Sequence, residues 1–117
     1  MQISKSQILD VIHQSLSTEQ IETSFIFWDC EVRNKGEQIQ IGPQTYQFDY
    51  DNILIFVDLA PFFNWAHPCL YLFFDIDTQC VEKIDASFPP YSRHFPETYS
   101  IVLKYGIEQI GMSGSGD

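Results

Sequence analysis

The chain is short of basic residues, of cysteines and of long apolar runs, and each shortage excludes a class of protein. Lysine and arginine together number 6 against 16 acids, for a net charge of −10. Such a field repels nucleic acid and anionic lipid. Arg33, Lys35, Lys83, Arg93 and Lys104 do not cluster in sequence, so no nucleic-acid partner is expected. No apolar run approaches the roughly 20 residues of a membrane span. Met1-Gln2-Ile3-Ser4-Lys5 lacks the charged and apolar regions of an export signal. A soluble, cytoplasmic protein without membrane contact is the expectation. Cys30, Cys69 and Cys80 are odd in number and have no framework spacing. Reduced thiols account for them most simply, with one disulfide and a free thiol in an exported protein as the alternative.

Catalytic and cofactor motifs are missing too. There is no G-x-S-x-G, no G-x-G-x-x-G and no P-loop, which removes support for acyl transfer by that route and for nucleotide binding. No C-x-x-C or H-x-x-x-H spacing exists to gather the three or four ligands a metal needs. Asp75-Ile76-Asp77 begins like a calcium loop, but the glycine at its sixth position and the distal glutamate are absent. No metal and no cofactor are expected.

Aromatic residues are plentiful: ten Phe, six Tyr and two Trp make up 15% of 117 residues. Their large buried areas let one small domain build a core without disulfides or metal. The patterning predicts an N-terminal helix over 4–16, capped by Ser4 with Gln7 and carrying Ile8, Ile12 and Leu16 on one side. Ser17 with Gln20 repeats the capping pattern before Thr23. From Phe25 the period changes to two, with Ile26, Trp28, Cys30 and Val32 on one face and Asp29, Glu31 and Arg33 on the other, outward one. Asn34-Lys35-Gly36 reads as a hairpin turn, followed by short strands around Ile39–Ile41 and Tyr46–Tyr50.

Ile53–Leu59 and Cys69–Ile76 are continuously apolar, as central strands covered on both faces would be. Asp75–Thr78 reads as a turn, Cys80–Ile84 as a shorter strand, Asp85–Glu97 with its three prolines as a surface loop, and Tyr99–Tyr105 as a last strand. The fold class that follows is α+β: an N-terminal helix packed on a mainly antiparallel meander sheet of about five to seven strands. Residues 1–110 form that single domain, and residues 111–117 a flexible Gly/Ser tail.

The connection between the two apolar runs, Pro61-Phe62-Phe63-Asn64-Trp65-Ala66-His67-Pro68, concentrates residue types able to make contacts or do chemistry. Phe62, Phe63, Asn64 and Trp65 are the candidate binding residues, since aromatic anchors dominate contact hot spots. Buried core aromatics are the competing account. His67 and Cys69 lie two apart and share a face in extended backbone, which admits a thiolate–imidazole pair. A backbone-bonded histidine beside a small buried thiol explains the same residues. Asp49, Asp51, Asp58, Asp75, Asp77 and Asp85 sit near strand ends, where two could pair for acid–base work or simply make turns.

Together these features point to a small acidic binding or regulatory protein of the inhibitor or immunity type, acting on a basic protein partner rather than as an enzyme. The alternatives are a thiol enzyme or accessory domain using Cys69 and His67, and a recognition domain whose C-terminal tail is processed.

Overall fold

A computed structural model describes residues 3–61, 67–88 and 97–109. Helix α1 (Lys5–Ser15) starts where Ser4 Oγ accepts from the Gln7 backbone N–H at 3.2 Å and Gln7 Oε1 accepts from the Ser4 N–H at 2.9 Å. Ser17 and Gln20 form the same reciprocal cap on the short helix α2 (Thr18–Glu22). Two orphan donors of each first turn are thereby satisfied by local sequence. Both helices are consistent with the expected caps.

The main sheet has six strands in the order β6-β5-β4-β1-β7-β8, every pairing antiparallel. Strand β1 is Phe25–Asp29, β4 Asn52–Asp58, β5 Cys69–Asp75, β6 Val81–Ala86, β7 Tyr99–Lys104 and β8 Ile107–Glu108. Strands β2 (Gln38–Ile41) and β3 (Gln44–Gln47) stand apart as a two-stranded ribbon joined by Gly42-Pro43. The expected α+β class is therefore present, with meander order running only through β4, β5 and β6. Asp75 Oδ1 accepts from the Asp77 and Thr78 N–H groups and turns the chain between β5 and β6, as its position predicted.

Side-chain alternation divides the core into two layers. Ile26, Ile53, Ile55, Val57, Leu70, Leu72 and Phe74 pack toward the helices with Ile8, Ile12 and Ile21. Leu54, Phe56, Cys69, Tyr71, Phe73 and Tyr99 pack toward the ribbon with Ile41 and Phe48. Covering on both faces is what the unbroken apolar runs of β4 and β5 required. Among the described residues no helix is long and apolar enough to cross a membrane.

Two sequence expectations are corrected. The first strand stops at Asp29, and Cys30 is exposed rather than sharing the apolar face. Asp29 is fully buried rather than outward. The reason is that Asp29 enters the ribbon-side layer beside its cross-strand partner Tyr99, where Arg33 and the Glu31 N–H satisfy its carboxylate. The predicted last strand is instead a hairpin: β7 turns at Tyr105 (φ 52°) and Gly106 (φ 81°) into β8. Two consecutive positive φ values suit a two-residue turn whose twist matches the strands.

Strand β7 also carries a bulge. Ile26 faces Leu103 and Phe27 faces Ile101, which leaves Val102 as the extra residue. Val102 and Leu103 consequently both enter the helix-side layer, although they are consecutive.

Candidate functional site

The ends of β4 and β5 bring together Asp58, His67 and Cys69. Asp58 and Cys69 are cross-strand partners, so their side chains share the ribbon face. His67 precedes Cys69 by two residues and is itself buried. Its Nε2 lies 2.8 Å from Asp58 Oδ1, and Asp58 Oδ1 also accepts from the Ala60 N–H at 3.1 Å. The His67 backbone N–H donates to the Ser87 carbonyl at 2.9 Å. This side-chain pair clasps the two ends of the Pro61–Pro68 connection.

The thiol is occupied differently. Cys69 Sγ donates to the Phe88 carbonyl at 3.3 Å, an oxygen that also accepts from Tyr71 Oη at 2.6 Å. Desolvation, reinforced by the negative charge of Asp58, pushes the Cys69 thiol up to about 12. A reactive cysteine needs a stabilised thiolate in an accessible, electropositive setting. Cys69 has a buried setting that favours the neutral thiol. The imidazole that could take its proton is directed at a carboxylate.

A second polar cluster joins β1 to the segment after it. Buried Asp29 Oδ2 accepts from Arg33 Nε at 2.8 Å and from Nη2, while its Oδ1 accepts from the Glu31 N–H at 3.0 Å. Glu37 approaches the same guanidinium at 3.8 Å. Burial lowers the Arg33 pKa, but the hydrogen bond and charge of Asp29 outweigh it and leave the pKa raised. Tyr99, the cross-strand partner of Asp29, has its phenol raised by burial and then by the Asp29 charge. Sequence reading missed this cluster, although the i,i+4 spacing of Asp29 and Arg33 was visible.

A third group surrounds Tyr50. Its hydroxyl donates to Glu82 Oε1 at 2.6 Å. Burial raises this phenol's pKa, helped by the Glu82 hydrogen bond and by the charges of Glu82, Asp75 and Asp49. Asp51 Oδ1 accepts from the Lys35 N–H at 2.7 Å nearby in sequence. Among the described residues, no three His, Cys, Asp or Glu side chains gather as metal ligands would. The described cysteines, Cys30, Cys69 and Cys80, are free.

The sequence-selected binding residues Phe62, Phe63, Asn64 and Trp65 lie outside the described residues, as does the tail 111–117. Only the clasp at the base of that connection is described. No protein-family model matches the chain, and neither curated proteins nor solved structures include one similar to it.

Proposed function

We propose that the protein is a cytoplasmic binding or regulatory module of the inhibitor or immunity type, and that it captures a basic protein partner. The observation that carries this reading is how the two signs of charge are used. Arg33 is turned to Asp29 and Glu37, Lys5 to the Gln109 carbonyl, Lys83 to the Ser15 carbonyl, and Lys104 lies 5.4 Å from the Phe25 ring centroid. Asp10, Glu19, Asp49, Asp51, Asp77 and Asp85 are instead exposed. Four of the five described cations thus serve the fold, Lys35 being exposed, while carboxylates are left to meet solvent or a partner. Long-range attraction of this sign speeds encounter with a cationic surface.

Phe62, Phe63 and Trp65, with Asn64 among them, would supply the short-range anchors that slow release. The Asp58–His67 clasp supports that assignment by holding both flanks of their segment together. Free thiols suit a reducing compartment.

The test is association kinetics with a basic partner at low and at physiological salt. The on-rate should fall about tenfold or more with added salt, while the off-rate changes little. Trp65→Ala should raise the off-rate instead. An on-rate indifferent to salt would sink the electrostatic reading. An off-rate unchanged by Trp65→Ala in a folded variant would move the anchors elsewhere.

A further inference from the structure

Strand β6 is the first strand in the sheet order, and among the described residues no strand lies along its outer side. Edge strands present unpaired N–H and C=O groups and are ordinarily guarded, often by lysine. The one lysine of β6, Lys83, is folded back so that its ammonium donates to the Ser15 carbonyl at 2.9 Å. Of the charged side chains left along this strand, Glu82 and Asp85 are both exposed and both acidic. Glu82 Oε1 accepts from the Tyr50 hydroxyl.

A cleft of about 190 Å³ opens at the C-terminal end of the same strand. Asp85 and Ala86 form one side of it, Ile41 and Tyr46 of the ribbon another, and Phe88 a third. Phe88 is 39% exposed, unusual for so large an apolar ring. Its backbone is fixed nonetheless, because its carbonyl accepts from both Cys69 and Tyr71. A rigid apolar recess therefore continues from an edge that no strand pairs among the described residues.

We infer that β6 and this cleft accept an extended basic segment of the partner as an added strand, with one apolar side chain seated between Tyr46 and Phe88. This rests on the reading above that the partner is basic, and extends it to a mode of recognition. Backbone pairing gives affinity in such complexes, and alternate side chains give specificity. Charge decides the occupant. Two copies of this chain each carry a net charge of −10 and repel one another before β6 could meet β6. Glu82 stands on the ribbon side of β6 and Asp85 on the helix side. A segment with lysine or arginine on both faces therefore reverses that repulsion, while one apolar residue on its ribbon side fills the recess.

The probe is a short blocked peptide carrying lysines on both faces around one valine, titrated into the whole chain while backbone amides are followed by NMR. Saturable binding should shift amides of Val81–Ala86 and slow their exchange. N-methylation of alternate peptide amides should weaken binding about tenfold or more, since main-chain donors are lost at unchanged charge. Asp85→Lys should weaken it comparably, and Glu22→Lys, beside Gly106 at the opposite, β7–β8 end of the sheet, should not. Equal binding by the N-methylated peptide, or shifts confined to other strands, overturns strand addition. So does a chain that dimerises through β6 instead. A basic folded partner that binds in a salt-dependent manner while the peptide does not would defeat this inference alone. Failure of both would defeat the basic-partner reading as well.

Discussion

Replacing Asp29 by alanine removes the acceptor on which the Arg33 guanidinium closes and leaves that cation against the sheet. Breaking a fully buried ion pair from one side costs about 3–5 kcal/mol. The Arg33 side chain is 30% exposed, so water recovers part of that loss. The Glu31 N–H, which also donates to Asp29, belongs to an exposed residue and can turn to solvent. The expected destabilisation is therefore about 2–3 kcal/mol for Asp29→Ala. Glu31→Ser, on the exposed residue two positions later, should stay within about 0.5 kcal/mol. Denaturant titration followed by tryptophan fluorescence measures both, and the slope should not change. A double-mutant cycle with Arg33→Ala isolates the pair and should give a coupling of about 1–2 kcal/mol. If Asp29→Ala costs no more than Glu31→Ser, the carboxylate is solvated and Asp29 does not enter the core.

Three further outcomes are expected. At neutral pH a thiol reagent should label Cys30 and Cys80 readily, while Cys69 waits for unfolding; fast native labelling of Cys69, lost in His67→Ala, would reverse the case for a buried neutral thiol. Because the folded Cys69 thiol is raised from 9.0 to about 12, its contribution to stability is fully present below about pH 9 and is lost as pH climbs to about 12. Cys69→Ala should flatten that alkaline decline, and an unchanged pH slope in the variant would show that the thiol is not the source. Gly42 has φ 58°, and a Cβ there would come within 2.2 Å of the Phe88 ring. Gly42→Ala should thus cost about 1–2 kcal/mol, with part of the cost relieved in a Phe88→Ala background; a neutral substitution would show that the ring moves aside freely.

What could be read from the sequence was what local interactions decide. Ser4 with Gln7 and Ser17 with Gln20 cap helices within a few residues, and Asp75 organises its own turn. The uninterrupted apolar stretches of β4 and β5 announced double covering without help from other segments. Asp29 was misread because alternation in a central strand resembles alternation in a strand with one wet face. The difference lies in β7, some seventy positions later. The β7–β8 turn was hidden by Tyr105, a residue with no turn preference, although Gly106 marked the place. At the candidate site, His67 and Cys69 were visible as neighbours. Their actual partners, Asp58 and the Phe88 carbonyl, depend on strand register and could not be inferred from spacing.

The central place of β1 also imposes an order of assembly. The meander β4–β6 needs only short connections within itself. Strand β1 is made early, yet its hydrogen-bonding partners begin at Asn52 on one side and Tyr99 on the other. Closing such distant pairings is slow, because chain entropy is lost before the contacts form. During synthesis the aromatic sequence Phe25-Ile26-Phe27-Trp28 therefore waits, first for β4 and then for β7. Until Tyr99 and its neighbours leave the ribosome, one side of that strand is an open template for other chains. The nascent protein is at its most aggregation-prone in this interval, and a chaperone that shelters β1 then would protect the whole sheet.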